Sequence, residues 1–128
     1  MLALWVAALI VAGPVGNFPI DDDFSTAEPV KTLVIDHGRF VTAWFSAMTL
    51  VTQVVWASPF VAVAGFSFNV LRMSTIILTA IGLVGLWRLA LQCGLPRATA
   101  VFVTAAVALN PVVFLLTNSF MTDVPFAA

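Results

Sequence analysis

Charge is scarce in this chain. Only 9% of its 128 residues are Asp, Glu, Lys or Arg, 62% are hydrophobic, and the mean hydropathy is +1.11. A soluble domain carries about 25% charge, so the composition predicts a membrane protein. A single cysteine, Cys93, excludes an internal disulfide and leaves the redox compartment unread. A net charge of -1 and the absence of any basic run argue against nucleic acid as a partner. No Lys or Arg precedes the first apolar run, so the basic n-region of a signal sequence is missing. There is no internal repeat and no low-complexity tract.

The charges that exist are unevenly placed. Five of the six acids lie between Asp21 and Asp36, and the sixth, Asp123, stands alone near the far end. The apolar stretch 1–19 just reaches the length of about 20 residues that a span needs. The stretch 20–40 is the only water-loving one and reads as an outer acidic loop. Ser25 or Thr26 there could cap a short helix running through Glu28 to Ile35, with His37-Gly38 as its stop and Leu33 and Val34 resting on the membrane surface. His37 reads as a solvated residue rather than a ligand.

The stretch 41–68 is uncharged and long enough to span. Yet Thr42, Ser46, Thr49 and Gln53 recur at helical spacing and share one face, with Trp44, Met48, Val51 and Val55 opposite. That stripe suits an interfacial or re-entrant helix, or one lining a wet cavity. Ser58-Pro59 is expected to break it, with a turn at 65–69.

The stretch 71–91 is a cleaner span, with Arg72 near its start and Arg88 near its end. Gly82 and Gly85 there would let a neighbour pack closely. A loop at 92–97 leads to a last span at 98–117, kinked near Asn110-Pro111. Residues 118–128 form a second outer loop and the start of the next segment. Few spans without a soluble domain make a thin structure, so the length predicts part of a longer protein or a shortened relative of one.

Two topologies are possible. If 41–68 spans, there are four spans, and Asp123 lies opposite Asp21–Asp23. If it lies at the interface, there are three. Arg88 and Arg97 then fall on the cytoplasmic side, as the positive-inside rule prefers, and Asp123 returns to the first acids. We take three spans: an all-α integral membrane fold with three transmembrane helices plus an interfacial or re-entrant helix.

Adjacent carboxylates are costly to keep ionised unless a cation or donor offsets their repulsion. Asp21, Asp22 and Asp23 could therefore hold a divalent metal (Mg or Mn) through oxygen ligands, or supply a general base. On composition alone the simpler interpretation is a polar stop after a membrane helix. Asp123 is less ordinary: it is the only charge after Arg97, and an ionisable residue between apolar segments suggests function. Arg72 is either a snorkelling arginine or a phosphate contact.

The motif Phe18-Pro19-Ile20-Asp21-Asp22-Asp23-Phe24, with Leu33-Val34-Ile35-Asp36-His37-Gly38-Arg39-Phe40 after it, resembles the first outer loop of bacterial polyprenyl-phosphate-sugar glycosyltransferases. These belong to the GT-C superfamily and are related to dolichyl-phosphate-mannose protein mannosyltransferases. Three later segments are similar to the next parts of that family's sequence, in the same order. They are Ala43–Gln53, then Gly65-Phe66-Ser67-Phe68 with Leu71-Arg72, then Asn110-Pro111 through Ser119-Phe120-Met121-Thr122-Asp123-Val124-Pro125-Phe126. Thr26 stands where the family often has tyrosine, and Glu28 where it often has a basic residue. Family members run several hundred residues, so the resemblance covers the N-terminal portion of a GT-C-like module.

The resemblance implies an enzyme of the bacterial inner (cell) membrane, its acidic loop outside, that transfers a sugar from a polyprenyl-phosphate donor to an acceptor. It places the first-loop role, base or acceptor positioning, on Asp22 or Asp23, and the second-loop role on Asp123. The implied partners are the lipid bilayer and the lipid-phosphate sugar. The rival interpretation is a non-catalytic small membrane protein or accessory subunit whose acids only face water.

Overall fold

The computed structural model describes residues 2–13, 16–19, 23–36, 38 and 51–120. The described residues form helices and turns, with no strand among them. The six helices are α1 (Leu2–Ala12), α2 (Asp23–Val34), α3 (Val51–Ala64), α4 (Phe68–Gln92), α5 (Arg97–Ala108) and α6 (Pro111–Thr117).

The mast of the fold is α4. Arg72 and Arg88 are its only charges, and its 25 residues make it, among the described residues, the one helix long and apolar enough to cross a membrane. Its start is well capped. The Ser67 side chain accepts from the Asn69 N–H, and Asn17 Oδ1, reaching across from the α1–α2 linker, accepts from the Phe68 N–H at 3.0 Å. Two of the N–H groups that a helix start leaves without intrahelical partners are thereby satisfied. Its neighbours α5 and α6 are bent by 64° at the Leu109-Asn110 break, and the pair is a second candidate span if taken together. The bend is where the sequence puts it. Pro111 cannot continue the α5 ladder, and Asn110 caps α6 by accepting from the Val112 N–H at 2.9 Å.

The helix in the first expected span stops early. α1 ends at Ala12, where Gly13 turns to a φ of 55°, ahead of Pro14, so only 11 residues are helical. A second correction concerns Ser58-Pro59, which does not break α3. The Ser58 hydroxyl donates to the Val54 carbonyl at 2.6 Å, Pro59 removes only one ladder bond, and the helix runs on to Ala64. It ends instead at Gly65, whose φ of 81° is a conformation that favours glycine. Gly85 is not a close-packing site: a Cβ there would meet nothing within 4 Å.

Two apolar clusters sit at different heights along α4. Near its start, Leu71 packs with Ala27 and Val30 of α2, with Val54, Ala57 and Val61 of α3, and with Phe120. Further along, Leu83 packs with Trp5 and Leu9 of α1 and Ala108 of α5. Polar residues between them keep their hydroxyls within the helix: Thr79 donates to the Thr75 carbonyl at 2.8 Å and Ser74 to the Leu71 carbonyl at 2.7 Å. Arg88 and Arg97 lie at the opposite end of α4 from the first cluster.

The element that composition misjudges is α2. The stretch reads as water-loving, yet Asp23, Ser25, Thr26, Ala27, Pro29, Val30 and Thr32 are buried. Leu33 and Val34 do not rest on a surface; they pack, partly buried, against the first cluster. The expected stop is real: Gly38, at a φ of 84°, donates to the Leu33 carbonyl at 3.2 Å. The helix begins at Asp23 itself, earlier than a cap at Ser25 or Thr26 would place it. A carboxylate there also meets the positive end of the helix dipole.

Candidate functional site: a buried acid between three helices

Asp23 opens α2, Arg72 lies in the second turn of α4, and Phe120 lies just past α6. The fold brings these three together. Asp23 Oδ1 accepts from the Phe120 N–H at 2.6 Å, and Asp23 Oδ2 lies 3.8 Å from Arg72 Nη2. Neither charge is in water: the two side chains are 3% (Arg72) and 0% (Asp23) exposed. The separation exceeds hydrogen-bond length. The pair therefore interacts through charge, while each partner makes its short hydrogen bonds elsewhere.

Arg72 spends its terminal nitrogens on the α1–α2 linker. Nη1 donates to the Gly16 carbonyl at 2.7 Å and Nη2 to the Phe18 carbonyl at 2.5 Å. Its guanidinium also sits 5.4 Å from the Phe18 ring centroid, within cation–π range. Asn69, one turn earlier, accepts from the Gly16 N–H at 3.1 Å. The linker is thus pinned to the first turns of α4 through both backbone and side chain. Arg72 is not snorkelling to an interface. Of its guanidinium nitrogens, Nε alone is buried without a partner.

Phe120 is held more completely still. Its carbonyl accepts from Thr26 Oγ1 at 2.5 Å and from Gln53 Nε2 at 3.0 Å, while its N–H goes to Asp23. Its ring is buried in the first apolar cluster. Gln53, the one residue of the expected polar stripe that the structure describes, is buried on α3, with Val51 and Val55 exposed. Gln53 Oε1 is buried and has no hydrogen-bond partner.

Among the residues singled out from the sequence, Asp23 and Arg72 are described and adjacent. Asp21, Asp22, His37 and Asp123 lie outside the described residues, as do Thr42, Ser46 and Thr49. No group of three or more His, Cys, Asp or Glu that could hold a metal occurs among the described residues. Asp23 itself fits a metal poorly, with one oxygen on a backbone amide and the other facing a guanidinium. Thr26 and Gln53 carry the geometry without having been singled out for it. The signal for Gln53 was its place on the polar stripe; Thr26 carried none beyond its candidacy as a cap.

This arrangement can fix a first-loop carboxylate and a second chain segment at one end of α4. No protein-family model, curated protein or solved structure matches the chain.

Proposed function

We propose that the chain forms the acid-bearing end of a membrane glycosyltransferase that moves a sugar from a polyprenyl-phosphate donor to an acceptor hydroxyl. The observation that carries this is the Asp23–Phe120 hydrogen bond. It brings the first acidic loop to the segment that leads, three residues on, to Asp123. The family that the sequence resembles uses one acid to take a proton and a second to orient near the same cavity, and this contact supports such a pairing.

In this scheme Asp22 is the base and Asp23 its anchor. The acceptor oxygen loses its proton to the Asp22 carboxylate as it attacks the anomeric carbon. The bond to the phosphate breaks on the opposite face, so the configuration inverts. Asp123 orients the acceptor or the sugar. The negative charge that builds on the leaving phosphate calls for a cation. Arg72 keeps donors beyond those bound to the Gly16 and Phe18 carbonyls and is one candidate; Asp21 and Asp22 are the candidates for holding a divalent ion. Three spans with the acidic end outside accord with Arg88 and Arg97 at the far end of α4.

Photo-cross-linking tests the proposal. The protein in lipid nanodiscs is exposed to a photoreactive polyprenyl-phosphate sugar. The expected result is labelling that excess unmodified donor removes and free polyprenol does not. Labelling that polyprenol removes equally well, or none at all, favours the accessory-protein interpretation.

A further inference from the structure

We infer that Thr26 and Gln53 are positioning residues that clamp the backbone of Phe120, three residues before Asp123 in the sequence. One residue has its N–H and its carbonyl both captured by side chains, from two different helices. Asp23 and Thr26 come from α2, and Gln53 comes from α3. A chain segment leaving a helix end ordinarily satisfies these groups with water or with its own turn. Here Asn118 and Ser119 do use their own turn, donating to Leu115 and Leu116, and Phe120 is where the pattern changes. Its ring then fills the cluster formed by α2, α3 and Leu71, so the residue is fixed in position and in rotation.

The arrangement is specific in its chemistry. The carbonyl takes two donors, which matches its two lone pairs. The N–H takes a carboxylate, the stronger class of acceptor. Arg72 in turn offsets the charge of that carboxylate and ties the clamp to the α1–α2 linker. Gln53 and Thr26 are therefore set to hold the second segment against α2, whatever the occupant of the site. That this matters for transfer rests on the proposed function; the clamp itself does not.

Spin-label distances test the clamp without substrate. Labels at positions 24 and 115, both exposed, report α2 against α6; labels at 63 and 81 report α3 against α4. Both pairs are built in a Cys93→Ser background, since Cys93 is exposed. In the wild-type sequence each pair should give a single narrow maximum. The double variant Thr26→Val, Gln53→Leu should lose that maximum for 24–115 and keep it for 63–81. Each single variant leaves one donor on the carbonyl and should broaden 24–115 alone. Thr26→Ser retains the hydroxyl and should restore the narrow maximum. An unchanged 24–115 distribution in the double variant overturns the clamp, and so does equal broadening of both pairs in all three variants. Failure of donor cross-linking with an intact clamp would instead count against the transferase alone.

Discussion

Replacing Arg72 with methionine removes one charge from a buried pair and keeps most of the side-chain volume. At 3.8 Å, with an effective dielectric of about 20, two unit charges attract by about 4 kcal/mol. The carboxylate left behind has lost the charge of Arg72 in a site it cannot leave, since Asp23 is fully buried. Breaking a buried pair from one side costs about 3–5 kcal/mol. The carbonyls of Gly16 and Phe18 also lose charged donors, each worth about 1.5–3 kcal/mol. These losses share atoms and will not add. Arg72→Met should therefore cost about 3–5 kcal/mol overall, on the scale set by one-sided loss of a buried ion pair. Asp23→Asn keeps an acceptor for the Phe120 N–H and should cost less. The double variant should cost less than the sum of the two by about 0.5–3 kcal/mol, the range of coupling between residues in contact. Equilibrium unfolding in mixed detergent micelles, monitored by tryptophan fluorescence, measures all three. A change within about 0.5 kcal/mol for Arg72→Met, as at an ordinary surface site, would refute the reasoning. Unimpaired stability with weakened donor binding would restore Arg72 to a phosphate contact.

The same geometry sets further expectations. Phe120→Ala removes a buried ring from the first apolar cluster and should destabilise the protein by about 3–5 kcal/mol in the same unfolding assay. Gly65→Ala meets no steric contact, but its φ of 81° should cost about 1–2 kcal/mol through backbone strain alone, which a thermal shift would register. Trp56→Phe deletes the Nε1 bond to the Ser74 carbonyl at 2.9 Å and should lower stability by about 0.5–1.5 kcal/mol. Single cysteines at positions 24 and 122, in a Cys93→Ser background, should react with an impermeant thiol reagent from the same side of the membrane. Reaction from opposite sides would contradict the three-span arrangement.

Much of the helical layout was legible because it rests on local chemistry. The extent of α4 comes from a long, mostly apolar run, and the α5–α6 bend from Asn110-Pro111. The stop of α2 comes from Gly38. Ser58-Pro59 misled because a proline deletes a single ladder bond, which an otherwise intact and partly buried helix survives. The burial of α2 was not legible at all. Its polar groups are tolerated inside because partners 94 and 97 residues away in Phe120 satisfy Thr26 and Asp23. No periodic pattern encodes such a pairing. The same holds for Arg72, whose position at the start of a span says nothing of the linker carbonyls it binds. The acid cluster was legible as a candidate site, but the burial of Asp23 against Arg72 and Phe120 was not.

Turnover of the donor tests the central claim most directly. Release of free polyprenyl phosphate from a polyprenyl-phosphate sugar is measured in membranes carrying the protein, with a membrane extract supplying acceptors. The account predicts release that falls by about 10²–10⁴-fold in Asp22→Asn, the loss expected for a general base, while that variant unfolds like the wild type. Equal release in Asp22→Asn and wild type would contradict it and leave the acids as a structural device at the end of α4.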